Sequence, residues 1–341
     1  MRGVLTPKEG TVEIQEVEDP CIVEPTDVII KVSIAAICGS DLHIINRHIP
    51  KVNPKIVLGH EFVGTIVEVG KAVKNFRIGE RVIGPPAYWC GHCDYCRRNL
   101  PQYCKEGGVY GYTTHGAQGE YMRVLYADNC LSKVPDEIED EEAVLIGDVF
   151  QTGFHAAYQG EILPGDTVAV FGCGPIGLGA ILSCWFFGAK EVFAIDVIPK
   201  RLDLAQKFGA HPVDASRQDP VALIKELTFG EGVDVAIEAV GTSQTLLAAL
   251  KAIKRGGRVS VVGIFGNQVE IPVNKYSQYG VTIKMGLGYL GWTPRLIDLV
   301  KTKKIPLASL ISHRFSLIEA PLAYQFYQVH KEDCLKIILK L

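Results

Sequence analysis

The pattern of apolar and polar positions changes character midway along the chain. Residues 1–35 set short apolar runs, such as Val28-Ile-Ile-Lys-Val-Ser-Ile, against turn formers at Pro20, Pro25 and Asp27, which predicts β-structure. Residues 77–86 read as one more strand-and-turn unit, and 107–135 are again strand-rich, with turns at Gly116 and Gly119. At 139 an acidic helical start leads into an apolar run that holds a single carboxylate, Asp148. Beyond 165 the periods alternate: strand 166–171, helix 178–187, strand 191–195, helix 221–228, strand 233–240, helix 244–253, then strands 258–264 and 281–287. Such alternation predicts a parallel, doubly wound sheet. The helix 292–303, the segment 310–317 and a terminal strand are too few residues for a domain and are expected to return to the β-rich half. A chain of 341 residues exceeds what one core organises. The expectation is thus an α/β protein of two domains, one from 1–150 with 287–341 and the other from 151–286.

Charge and composition narrow the partners. A net charge of −3 is spread over interspersed acids and bases with no basic run, so nucleic acid is not expected as a partner. The first residues lack an apolar signal core, and no stretch reaches the ~18 apolar residues of a membrane span. The chain reads as cytosolic, with no membrane partner. In that setting ten cysteines are not a disulfide framework, and their spacing points to metal or catalysis.

Strand 166–171 runs directly into Gly172-Cys-Gly174-Pro175-Ile176-Gly177, a G-x-G-x-x-G opening a helix. Gly172 permits the tight turn, Gly174 lets backbone approach a pyrophosphate, Gly177 packs helix on strand, and Pro175 suits the first helical turn. The next strand ends at Asp196, where a carboxylate can accept from both adenosine ribose hydroxyls and would repel a 2′-phosphate. NAD is therefore expected over NADP. Arg201 lies five residues on, placed against the adenine ribose or softening the exclusion of NADP.

Cys90, Cys93, Cys96 and Cys104 form C-x2-C-x2-C-x7-C. Four thiolates close a tetrahedral shell round zinc and leave no place for substrate, so this lobe, about 88–106, is read as structural. Iron–sulfur ligation is the rival, but its bacterial run spaces the last two cysteines differently and follows them with proline; free thiols are the remaining alternative. His60-Glu61 lies in an apolar segment punctuated by Gly59, Gly64 and Gly70, and Cys38 upstream could supply a thiolate to the same ion. Alone, the pair reads equally as a core histidine beside a surface glutamate. Ser40, Asp41 and His43 crowd beside Cys38. Asp148 is a candidate further ligand, or else a helix-capping or solvent-facing acid.

These motifs together resemble the zinc-dependent medium-chain alcohol dehydrogenases over essentially the full chain: Gly59-His60-Glu61 with Gly64 and Gly70, the cysteine lobe, Cys38-Gly-Ser40-Asp41-Leu-His43, and the Gly172–Gly177 fingerprint with Asp196. The resemblance implies a GroES-like catalytic domain joined to a Rossmann domain. It implies two zinc ions per chain, a catalytic one on Cys38, His60 and Asp148 and a structural one on the four cysteines. Glu61 matches a glutamate that sits near the catalytic ion, and Lys336 matches a basic residue pairing with Asp41. The implied reaction passes hydride from a small alcohol to NAD, the proton leaving through Ser40 and His43. The run at Asp148 looks most like the secondary-alcohol and formaldehyde-dehydrogenase branches, with a secondary alcohol favoured over a polyol. Like chains assemble as homodimers or homotetramers, often through the sheet edge at 281–287.

Overall fold

The computed structural model describes residues 1–48, 52–303 and 305–341. Its contacts divide into two compact units, Met1–Gln151 with Tyr289–Leu341, and Thr152–Gly288. In chain order the strands are β1 Arg2–Leu5, β2 Glu13–Glu16, β3 Val28–Ile37, β4 Glu61–Val69, β5 Arg81–Ile83, β6 Ala87–Tyr88, β7 Gly108–Val109, β8 Tyr121–Val124 and β9 Ser132–Lys133. Then come β10 Thr167–Phe171, β11 Glu191–Asp196, β12 His211–Asp214, β13 Val233–Glu238, β14 Ile253–Val261, β15 Thr282–Met285, β16 Ile311–Ser316 and β17 Lys336–Lys340.

The first unit is built on a seven-stranded sheet ordered β16-β17-β3-β4-β5-β9, with β8 also pairing β3. The ten-residue β3 is buried at nearly every position, so its valines and isoleucines form an apolar run rather than an alternation. Antiparallel registry sets Ala36 opposite both Glu61 of β4 and Ile338 of β17. Val28, Ile30, Phe62, Ile66 and Met122 make one core cluster, and Ile37, Ile45, Leu58, Tyr324 and Ile337 contribute to a second. Residues 311–340 add β16 and β17 to this sheet.

The second unit is a six-stranded sheet ordered β12-β11-β10-β13-β14-β15, parallel at every described pairing. This is the order of a dinucleotide-binding doubly wound fold, with the switch point beside β10. The helix Pro199–Lys207 and strand β12, like the single-turn helix Val273–Tyr276, escaped the sequence reading. The longer helix buries only Leu202 and Ala205, and of β12 only Val213 is fully buried, so neither carries a strong apolar period. No helix among the described residues is long and apolar enough to cross a membrane.

Candidate metal centres and cofactor site

Residues 88–106 have little core of their own: only Cys90 and Pro101 are buried. Their cohesion lies in the thiols. Sγ of Cys93 is 3.6 Å from that of Cys96 and 3.8 Å from that of Cys104, and Cys104 is 3.5 Å from Cys90. A tetrahedron of Zn–S bonds has edges of about 3.8 Å, so the four sulfurs stand where one zinc ion would hold them. Backbone N–H groups of Cys96 and Lys105 pull the Cys93 thiol down to about 6, whereas desolvation, then the neighbouring Cys93, pushes Cys96 up to about 12. Cys93 is thus the readier of these two to form a thiolate. The donor set fits zinc.

The second cluster joins Cys38, His60, Glu61 and Asp148, whose potential ligand atoms all lie within 4.8 Å of one another. Cys38 directly follows β3 and stands as N-cap of the helix Gly39–Ile45, which carries Ser40, Asp41 and His43. The helix is started by the Asp41 carboxylate, which reaches back to the Cys38 N–H in a capping-box arrangement. His60 precedes β4 and Glu61 begins it. Asp148 lies in a π-helical turn, Ile146–Phe150, an arrangement common at functional sites and without a sequence period to betray it.

The imidazole of His60 is buried and oriented at both ends. Its Nε2 is 3.5 Å from Asp148 Oδ2 and 3.5 Å from Ser40 Oγ; its Nδ1 is 3.6 Å from Asp41 Oδ1. Burial opposes a charge there, yet Asp148 and Cys38, with Asp41, hold the imidazolium well above its usual range. A site so rich in negative charge suits a divalent cation better than a proton, and thiolate, imidazole and carboxylate are zinc ligands.

Lys336 corrects one expectation. Its ammonium pairs with Glu61 Oε1 and donates to the Ile37 carbonyl at 3.3 Å, rather than pairing with Asp41. Strand registry explains this: Ile338, Ala36 and Glu61 lie in register across three strands, and Lys336, two residues from Ile338, shares their face. Asp41, on the helix, is met instead by Gln118 and Tyr324, neither of which any motif singled out. Burial, against the pull of Lys336, pushes the Glu61 carboxyl up to about 7, and its Oε2 has no hydrogen-bond partner among the described residues. His43 is partly exposed, and its Nδ1 is 3.3 Å from Nδ1 of His48, a neighbour the sequence did not flag.

In the second unit β10 delivers Gly172 at φ +93°, and a Cβ on Gly177 would lie 1.8 Å from the Gly172 carbonyl oxygen. Only glycine fits either place. The helix Pro175–Phe186 starts with Pro175 in its first turn and Ile176 after it. A cavity of about 620 Å³ opens there, lined by Gly172, Gly174, Asp196, Arg201, Val240 and Thr245 among others. Asp196 Oδ2 accepts from the Cys173 N–H at 2.7 Å, and Oδ1 from those of Val197 and Ile198 at 2.7 and 3.0 Å. Arg201 Nη1 stands 4.0 Å from Asp196 Oδ2. The carboxylate is thus fixed at the mouth of the cavity with part of its acceptor capacity already used.

Comparison with known proteins finds relatives along the whole chain. Residues 24–136 match the alcohol dehydrogenase GroES-like domain and residues 175–302 the zinc-binding dehydrogenase domain. An uncharacterized zinc-type alcohol dehydrogenase-like protein, AdhB of Bacillus subtilis, is 34% identical, with all of both chains covered. Among solved structures, alcohol dehydrogenase TADH from Thermus sp. ATN1 superposes with a TM-score of 0.95 at 37% identity, covering 100% of this chain and 99% of its own. The 2R,3R-butanediol dehydrogenase from Bacillus subtilis superposes at 0.89 with 30% identity, covering 100% and 99%. With thiolate, imidazole and carboxylate gathered in a GroES-like unit and a glycine turn heading a parallel sheet, the chain belongs to the zinc-dependent medium-chain alcohol dehydrogenase family, oxidoreductases that use zinc and a nicotinamide cofactor.

Proposed function

We propose that this chain oxidises a secondary alcohol to its ketone with NAD, using zinc held by Cys38, His60 and Asp148, while Cys90, Cys93, Cys96 and Cys104 hold a second, structural ion. The observation that carries the reading is the convergence of Cys38, His60, Glu61 and Asp148 within 4.8 Å. When bound, zinc supplies Lewis acidity that makes an alcohol hydroxyl a far stronger acid. Ser40, its Oγ 3.5 Å from His60 Nε2, is placed to accept that hydroxyl proton. His43, one helical turn on and partly exposed, passes it to water. Lys336 holds Glu61 Oε1 beside the ligand set and leaves Oε2 free to meet the ion in passing. Gly172, Gly174, Pro175, Ile176 and Gly177 receive the cofactor pyrophosphate, and Asp196, with Arg201 beside it, takes the adenosine ribose.

A secondary alcohol is supported by the run around Asp148 and by the likeness to a 2,3-butanediol dehydrogenase, whose named substrate carries two secondary hydroxyls. A homodimer or homotetramer is part of the same reading, since β15 is an edge strand and Met285 is exposed on it. So is a cytoplasmic location, where both metal sites keep the reduced thiols they need. The test is zinc content together with NAD and NADP reduction over 2-propanol, 2-butanol, ethanol, 2,3-butanediol, sorbitol, threonine and formaldehyde. Two zinc ions per chain and fastest NAD reduction with the secondary alcohols are expected. One zinc and no turnover would leave the cysteine lobe standing and overturn the catalytic reading.

A further inference from the structure

Behind the His60 imidazole lies a chain of polar groups that no part of the proposed chemistry uses. Asp41, Gln118 and Tyr324 are at most 1% exposed, and they come from the helix Gly39–Ile45, the segment just before β8, and the helix Ala320–Val329. Tyr324 Oη donates to Gln118 Oε1 at 2.8 Å and lies 3.1 Å from Asp41 Oδ2. Gln118 Nε2 uses one hydrogen on the Ala36 carbonyl at 3.2 Å and the other on Asp41 Oδ2 at 3.3 Å. The Cys38 N–H adds a second donor to the same oxygen at 2.9 Å. Asp41 Oδ1 is left without a hydrogen-bond partner and faces His60 Nδ1 at 3.6 Å.

The direction of these bonds matters. Both amide hydrogens of Gln118 have acceptors, so its carbonyl must face the tyrosine, and the phenol proton has an acceptor waiting. Donors in series polarise one another and hold the carboxylate in one orientation. That orientation presents Oδ1 to Nδ1–H, which leaves Nε2 unprotonated on the side of Cys38 and Asp148. The arrangement also explains Gly59, beside His60: a Cβ there would lie 2.5 Å from Gln118 Cγ and displace the amide.

We propose that Gln118 and Tyr324 are positioning residues for the metal ligand His60, acting through Asp41 to set how tightly the Cys38 site holds zinc. The inference rests on the proposed zinc site at Cys38, His60 and Asp148. A cluster that only tied the helix Ala320–Val329 to the sheet would affect stability but not the metal specifically.

The experiment measures zinc release from the whole protein to a chelating indicator, with the four-cysteine ion as internal reference. Tyr324→Phe removes one oxygen and Gln118→Met keeps length without polar atoms. Each is expected to release the Cys38-site zinc about 10-fold faster or more, with the cysteine-lobe zinc unchanged. Cobalt in the same site should shift its visible spectrum in both variants, and the double variant should be little worse than either single one, because they act along one path. Release within about twofold of the parent in both variants, or equal acceleration of both ions, would overturn the proposal. A parent protein that yields one zinc instead of two refutes the underlying site, a result distinct from two zinc ions with unaltered release.

Discussion

Lys336 is a buried cation whose charge partner is Glu61, with the Ile37 carbonyl as a further acceptor. Removing one partner of a buried pair strands the other charge, at a cost of about 3–5 kcal/mol, whereas removing both can be nearly neutral. Lys336→Met is therefore expected to lower the urea midpoint steeply, and Lys336→Met with Glu61→Gln to recover most of the loss. If the double variant unfolds as early as the single one, the pair is not what stabilises this face. Asp196 makes a different residue-scale case. Replacing it by alanine removes the negative charge facing the ribose and also frees the N–H groups of Cys173, Val197 and Ile198. Asp196→Ala should weaken NAD and narrow its preference over NADP by about 10-fold, near 1.4 kcal/mol, as read from kcat/KM ratios. An unchanged ratio would assign discrimination to other residues. Neither Gln118 nor Tyr324 could be read from the chain, since their bonds to Asp41 span 77 and 283 residues and depend on which faces pack. Lys336 was assigned the wrong acid for the same reason: sequence places it beside the site, but only strand registry decides which carboxylate it meets.

At the scale of elements, the glycine turn with its strand and helix, and the alternation beyond it, were plain in the sequence because each follows a strong local rule. Elements without one, the π-helical turn under Asp148 and the short edge strand β12, were not. The cysteine lobe is legible for a third reason, because its spacing is its structure. With only Cys90 and Pro101 buried across 88–106, apolar contacts supply little there, and the proposed structural zinc would supply the rest. Cys96→Ser is expected to lose one zinc and to make this segment the first site of limited proteolysis; a variant as resistant as the parent would show that the lobe holds without its ion. Elsewhere, Glu141 fastens the helix Asp140–Leu145 to two strands, through Arg314 of β16 and Lys340 of β17. These cations hold its carboxyl down at about 2. A lowered folded pKa means the contribution is complete above the ordinary carboxylate range, about pH 4.3, and fades as pH falls through about 2. The cations are half exposed, so Glu141→Gln should cost less than about 1 kcal/mol at pH 7 and nothing near pH 2. An equal penalty at both pH values would contradict the ion-pair origin.

At the scale of the molecule, one unit is continuous in sequence, Thr152–Gly288, and the other is assembled from two separated pieces. The last strand of the chain does not sit at the margin of the first sheet. β17 lies between β16 and β3, and its Lys336 is the counter-charge of Glu61, 275 residues earlier. On the ribosome this imposes an order in time. The dinucleotide-type sheet has all its strands once Met285 has emerged, and its parallel pairings are complete within themselves. β3 and β4 emerge long before, yet Glu61 waits without its cation, and the Ile34–Ile37 half of one β3 edge, which β8 does not reach, stays unpaired until β17 leaves the exit tunnel. For most of its synthesis the amino-terminal half is thus a nascent chain with an open, apolar strand edge, the kind of surface to which holding chaperones bind.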